Sequence, residues 1–97
     1  MNYRLHPEAA AEHSDQIATY EQEQQGLGRR YHREFLAALA LACEMPRRPR
    51  VIRSPDIRSV GFKVFRFSVV YREIDGVVQV LAVAHHRRRA AYWADRS

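Results

Sequence analysis

The chain has 97 residues, 46% of them apolar, one cysteine and a net charge of +5. That length supports one domain, residues 1–97, around one modest core, and excludes a second domain or a deep cofactor cleft. No run approaches ~18 apolar residues and the N-terminus lacks a cationic start followed by an apolar stretch, so neither a membrane span nor a signal peptide is expected and a cytoplasmic location is.

Met1 to Leu5 is short and partly apolar and reads as a first strand. Pro7 suits the first turn of a helix, where its missing N–H costs nothing. Ala9, His13, Ile17 and Tyr20 then recur at helical spacing, which makes His13 and Tyr20 packing residues rather than ligands. Gly26-Leu27-Gly28 breaks this helix and permits a tight reversal. A second helix is expected from about Arg29 to Glu44, with Tyr31, Phe35, Leu39 and Ala42 on one side. Cys43, in the apolar run LAALALAC, reads as a buried structural thiol. Facing apolar stripes make the two helices a hairpin.

Pro46 and Pro49 end the second helix, and Arg47 to Pro55 forms a basic connection with a short extended piece at Val51-Ile52. Val60, Phe62 and Val64 alternate with Gly61 and Lys63, which predicts a strand. Phe67 to Glu73 is β-branched and aromatic and predicts the next. Asp75-Gly76 is a two-residue hairpin signal that pairs it with Val77 to His85. The last strand is apolar on both faces and needs cover on both. Ala90 to Arg96 reads as a short C-terminal helix or turn with Trp93 folded back on the body. The expected class is α+β: a strand, a two-helix hairpin, and an antiparallel three-stranded meander joined by strand one. The helices cover one face and leave the other for binding.

The chemistry concentrates where the apolar strand VVQVLAVA runs into His85-His86-Arg87-Arg88-Arg89 and Tyr92-Trp93. Residues 1–46 carry a net −3 and residues 47–97 a net +8. A segregated positive half attracts an anionic partner. Arg58, Arg66, Arg87, Arg88, Arg89 and Trp93 are therefore the expected target-binding residues. Consecutive residues leaving a strand cannot all face one way, so only part of the arginine trio should meet a partner. His85, His86, Arg87 and Tyr92 offer acid, base and phosphate-binding groups, and a His pair can act near neutral pH. His6, His13 and His32 lack metal-ligand spacing with cysteines or carboxylates, and no Gly-rich phosphate loop or nucleophile elbow is present, so no metal or cofactor is expected. Glu8 and Glu12 read as the polar face of the first helix.

This order of elements resembles the RelE/ParE superfamily of toxins from type II toxin–antitoxin systems, to which "plasmid stabilisation" proteins belong. The matching pieces are LHPEAAAEHSDQIATY, the Gly26-Leu27-Gly28 break, the Phe35/Leu39 helix with a proline at its end, PRVIRS, and above all FRFSVVYREIDGVVQVLAVAHHRRRAAYW. The resemblance implies an antitoxin partner in a hetero-oligomer, laid across the helix hairpin with Ile17, Tyr20, Phe35 and Leu39 as contacts. It implies one of two targets. The RelE-like branch cleaves mRNA on the ribosome and supplies an arginine at the head of the strand that continues apolar-apolar-Tyr. Ser68 occupies that slot here, and the lysines of that branch reduce to Lys63 alone. Both departures favour the ParE-like branch, whose target is DNA gyrase. A non-toxic nucleic-acid-binding module remains a third reading of the same basic edge.

Overall fold

A computed structural model describes residues 2–97. Strand β1 (Asn2–Leu5) leads into helix α1 (Pro7–Glu23) and helix α2 (Leu27–Glu44). Strands β2 (Arg58–Gly61), β3 (Phe67–Ile74) and β4 (Val77–His85) follow, and a single 3-10 turn, Ala94–Arg96, closes the chain. The sheet order is β1-β4-β3-β2, with β1 parallel to β4 and the other neighbours antiparallel. The α+β expectation holds, with strand one beside the last strand; Met1 lies outside the described residues.

Local chemistry explains the boundaries. His6 caps α1 by accepting the Glu8 N–H at its Nδ1, 3.1 Å away, and Pro7 takes the first helical position. Asp75 and Gly76 both have positive φ, 52° and 76°, as a two-residue hairpin turn with the strands' own twist requires. Gly28 sits at the crossing of the two helices. A Cβ there would lie 2.6 Å from the Ile17 carbonyl oxygen. The Glu21 carboxylate accepts the N–H groups of Gly26 (2.8 Å) and Gly28 (3.0 Å), satisfying donors that the start of α2 would otherwise leave open.

The core lies on both faces of the sheet. Between helices and sheet, Ala9, Tyr31, Phe35, Leu39, Val69, Tyr71, Val78 and Val80 are buried together. Behind the sheet, Ile57, Val70, Leu81, Ala82, Ala84 and Trp93 form a second cluster. Val70 pairs with Ala82 and Tyr71 with Val80, so Leu81 is an extra residue in β4. That bulge turns Leu81 and Ala82 to the same rear face and returns Val83 to the helix side. The rear face is thus closed at its centre by Trp93 and by the connection carrying Ile57, and only part of it is left open for binding.

Three expectations are corrected. The strand expected at Val60–Val64 runs instead from Arg58 to Gly61. Phe62 N–H donates to the Phe67 carbonyl at 2.9 Å, so the chain is already turning, and Val64 points outward at 69% exposure. Phe35 and Leu39 are 4% and 3% exposed and face the sheet, so these two hold the hairpin down and do not offer an exposed surface, while Ile17 and Tyr20 are partly buried against the same core. Trp93, 6% exposed, is a core residue and not a contact for a target.

Candidate functional site

The end of β4 builds a compact cationic turn. His85 closes the strand with its ring edge-on to Phe67, centroids 4.8 Å apart. Its Nδ1 accepts the Arg87 N–H at 2.9 Å, and its carbonyl accepts the Arg88 N–H at 3.0 Å. These bonds bend the chain off the sheet immediately, so the arginine trio lies on a turn and strand alternation no longer governs its directions. Partial burial and the charges of Arg87, neighbouring His86 and Arg66 push the His85 imidazole below its ordinary range. It stays neutral near pH 7, in keeping with its acceptor role. His86 N–H donates to the Arg66 carbonyl at 2.9 Å, which sets Arg66 beside the turn.

The chain then folds back. The Arg88 guanidinium lies 4.0 Å above the Tyr92 ring, a cation–π contact that commits this arginine to its own segment. Tyr92 Oη donates to Glu12 Oε2 at 2.7 Å. Burial, then this bond, push the phenol well above its ordinary value. Tyr92 is therefore a structural donor facing α1. Arg87 and Arg89 are exposed. Arg58 does not join them: its guanidinium donates to the carbonyls of Arg47 (3.1 Å) and Pro49, pinning the connection before β2. Of the expected target-binding set, Arg66, Arg87, Arg88 and Arg89 come together, and Arg58 and Trp93 serve the fold.

Beside the turn, on the helix-free face, runs a groove of about 170 Å³. Ser59, Ser68, His85, His86, Arg88, Arg89 and Tyr92 contribute its polar lining, Ile52, Val70, Ala84 and Trp93 its apolar lining. Ser68 Oγ and His86 Nε2 are 2.9 Å apart. The position at which the ribonuclease branch carries an arginine thus holds a neutral hydroxyl already paired to a histidine.

A second surface lies on the opposite flank, between α2 and the outer side of β2, which is a sheet edge. Two hollows of about 300 and 490 Å³ share Leu41. Leu41 and Met45 are each 52% exposed. Arg30, Arg33 and Lys63 border the first hollow and Arg48 the second. Glu34 is the one carboxylate lining them, and it accepts the Val64 N–H at 2.9 Å.

Glu12 reads in sequence as part of a polar helix face, yet it organises the C-terminal segment. Besides Tyr92, it accepts from Val83 N–H at 3.2 Å and from Arg96 at 3.0 and 3.1 Å. Arg96 also reaches Glu8 at 3.0 Å. No local pattern links positions 71 to 84 residues apart. Among the described residues no group of three or more His, Cys, Asp or Glu could hold a metal ion, and no helix is long and apolar enough to cross a membrane.

A family model described as the ParE toxin of the type II toxin–antitoxin system parDE matches residues 3–90. Among solved structures, the chain is similar to one from a chromosomal ParDE toxin–antitoxin system of P. aeruginosa, with a TM-score of 0.64 and 14% identity over 88% of this chain and 95% of that one. At that identity the likeness speaks to the fold. No curated protein matches the chain.

Proposed function

The chain belongs to the ParE toxin family of type II toxin–antitoxin systems, and from that premise we propose that it inhibits DNA gyrase in the cytoplasm and is held inactive by a cognate antitoxin. Ser68 is the observation that carries the choice of target. Metal-free RNA cleavage needs a cation to stabilise the charge that develops on the phosphate. At this slot a hydroxyl bonded to His86 replaces the guanidinium. Of the other ribonuclease candidates, His85 has its Nδ1 engaged by backbone and Tyr92 is engaged by Glu12. The basic turn of Arg66, Arg87 and Arg89 is then a protein-binding surface for the target.

The antitoxin occupies the α2/β2 flank. An exposed leucine and methionine between four cations suit an acidic amphipathic segment, and the outer backbone of β2 can accept an added strand. This surface replaces Phe35 and Leu39 as the docking site.

Induced expression, with and without the neighbouring gene, tests the reading. Growth arrest with gyrase–DNA cleavage complexes and intact transcripts, relieved by the neighbour, is the expected result. Transcripts cut on translating ribosomes with undamaged DNA would return the protein to the ribonuclease branch.

A further inference from the structure

We infer that the groove on the helix-free face is a phosphate site that takes a backbone phosphodiester of single-stranded nucleic acid. This inference stands apart from the choice of toxin target, because it concerns what the groove binds and not what the cell loses. Its floor breaks the pattern of the rear face. Val70, Ala82 and Ala84 are apolar there, but Ser59 on β2 and Ser68 on β3 place two hydroxyls among them. In the tautomer in which His86 Nε2–H donates to Ser68 Oγ, the serine's own proton is free to point into the groove. Arg88 and Arg89 add positive charge at the wall, and no carboxylate lines the groove. Ser59, Ser68, Arg88 and Arg89 can then donate into the groove from floor and wall, while the His86 Nε2–H is spent on Ser68 and the Tyr92 hydroxyl on Glu12. Tetrahedral oxygens satisfy such a set better than a planar carboxylate, which favours a bidentate arginine fork.

Size and surroundings narrow the ligand. About 170 Å³ is below the ~300 Å³ at which drug-sized or cofactor molecules are usually held. The apolar strip of Ile52, Val70 and Ala84 gives contact to a sugar beside the phosphate. Base stacking is absent from the design: the Trp93 ring is buried and one face of Tyr92 is covered by Arg88. Binding is therefore indifferent to base identity. The groove is concave, between the connection carrying Ile52 and the C-terminal segment, so a flexible single strand reaches its floor where the broad surface of a duplex cannot. Exposed Arg66 and Arg87 lie at the adjoining turn, outside the groove.

Trp93 is the sole tryptophan of the chain and lines the groove, so its fluorescence reports occupancy. The full chain is titrated with inorganic phosphate and with an oligothymidylate of about ten nucleotides. Both should give saturable, mutually competitive changes. Oligonucleotide affinity should fall with salt at a log–log slope of about −1.5 to −2, as for two or three neutralised phosphates on a single strand. Ser68→Ala and Arg89→Ala should each weaken oligonucleotide binding by about tenfold with an unchanged Tm. A duplex of the same sequence should bind more weakly. Absence of a saturable phosphate response, or full oligonucleotide affinity in both variants, would overturn the inference. So would equal displacement by a glutamate-rich peptide, which would make the groove a seat for protein carboxylates.

Discussion

Glu12 and Arg96 show how much of the molecule hangs on single side chains. Their side chains are only 18% and 10% exposed, and the pair fastens the C-terminal segment, with Tyr92 and Trp93, to α1. Removing Glu12 leaves the buried Arg96 only the exposed Glu8 and the Leu81 carbonyl, and removing Arg96 leaves Glu12 without a counter-charge, which is where buried ion pairs cost most. Glu12→Ala should lower stability by about 3 kcal/mol and red-shift Trp93 emission as the segment loosens. A double-mutant cycle with Arg96→Ala should recover part of that loss, and strictly additive effects would show that the two act independently. His13 makes a different demand. It lies 7% exposed against Phe35, its ring 3.9 Å away, with Nε2 2.8 Å from His32 Nδ1. Burial, and then the proximity of His32, lower its pKa from 6.5 to about 4. The unfolded chain therefore binds the proton more readily than the folded one, so this contribution to stability is complete above pH 6.5 and is lost as the pH falls toward 4. The loss should reach on the order of 2–3 kcal/mol. Melting wild type and His13→Leu from pH 7 to 4 isolates it. The variant should be flatter, and parallel pH profiles would assign the acid sensitivity to the carboxylates.

At the scale of elements, the helix hairpin turns on one close contact. A methyl group at Gly28 would meet backbone at 2.6 Å, and a carbonyl within α1 cannot move aside as a flexible side chain can. Gly28→Ala should cost about 1–3 kcal/mol, measured by denaturant unfolding. Gly26→Ala strains a residue at φ 87° but meets nothing within 4 Å, so its penalty comes from backbone conformation alone. The hairpin, both long strands and the Asp75-Gly76 turn were legible because each is written in a local period or a turn pair. The second strand was misplaced because Val60, Phe62 and Val64 alternate in sequence while only Val60 lies in the ladder. The burial of Phe35 and Leu39 was not legible for a related reason. Periodicity marks one apolar stripe on α2, but it cannot say that this stripe faces the sheet while Leu36, Leu41 and Met45 remain outside. The basic turn was visible as a run of letters. The Ser68–His86 bond and the Glu12 anchor join residues brought together only by the folded sheet.

At the scale of the whole molecule, the segregated charge of the sequence is partly cancelled by the fold. Arg96 is matched by Glu8 and Glu12 of the acidic half, Arg72 pairs with Asp56 at 3.3 Å, and Arg47 with Glu73 at 2.9 Å. Among the exposed cations, Arg66, Arg87, Arg88 and Arg89 group at the turn after β4, and Arg30, Arg33, Arg48 and Lys63 at the rim of the α2/β2 flank. Two separate surfaces predict two separable phenotypes. Arg87→Ala/Arg89→Ala alters the turn while leaving Arg88 over Tyr92, so the fold should be preserved. Toxicity should fall, and the equilibrium affinity for the antitoxin should be unchanged. Leu41→Glu puts a carboxylate into the apolar centre of the flank. Antitoxin affinity should fall by about a hundredfold, as for a charge desolvated without a partner, while toxicity persists. Rim cations act mainly on the rate of encounter, so Arg30→Ala/Arg33→Ala should slow antitoxin association at low salt and converge on wild type at high salt. Growth assays paired with binding kinetics read all three variants. If the turn variant lost antitoxin affinity and kept its toxicity, the two surfaces would have to exchange roles.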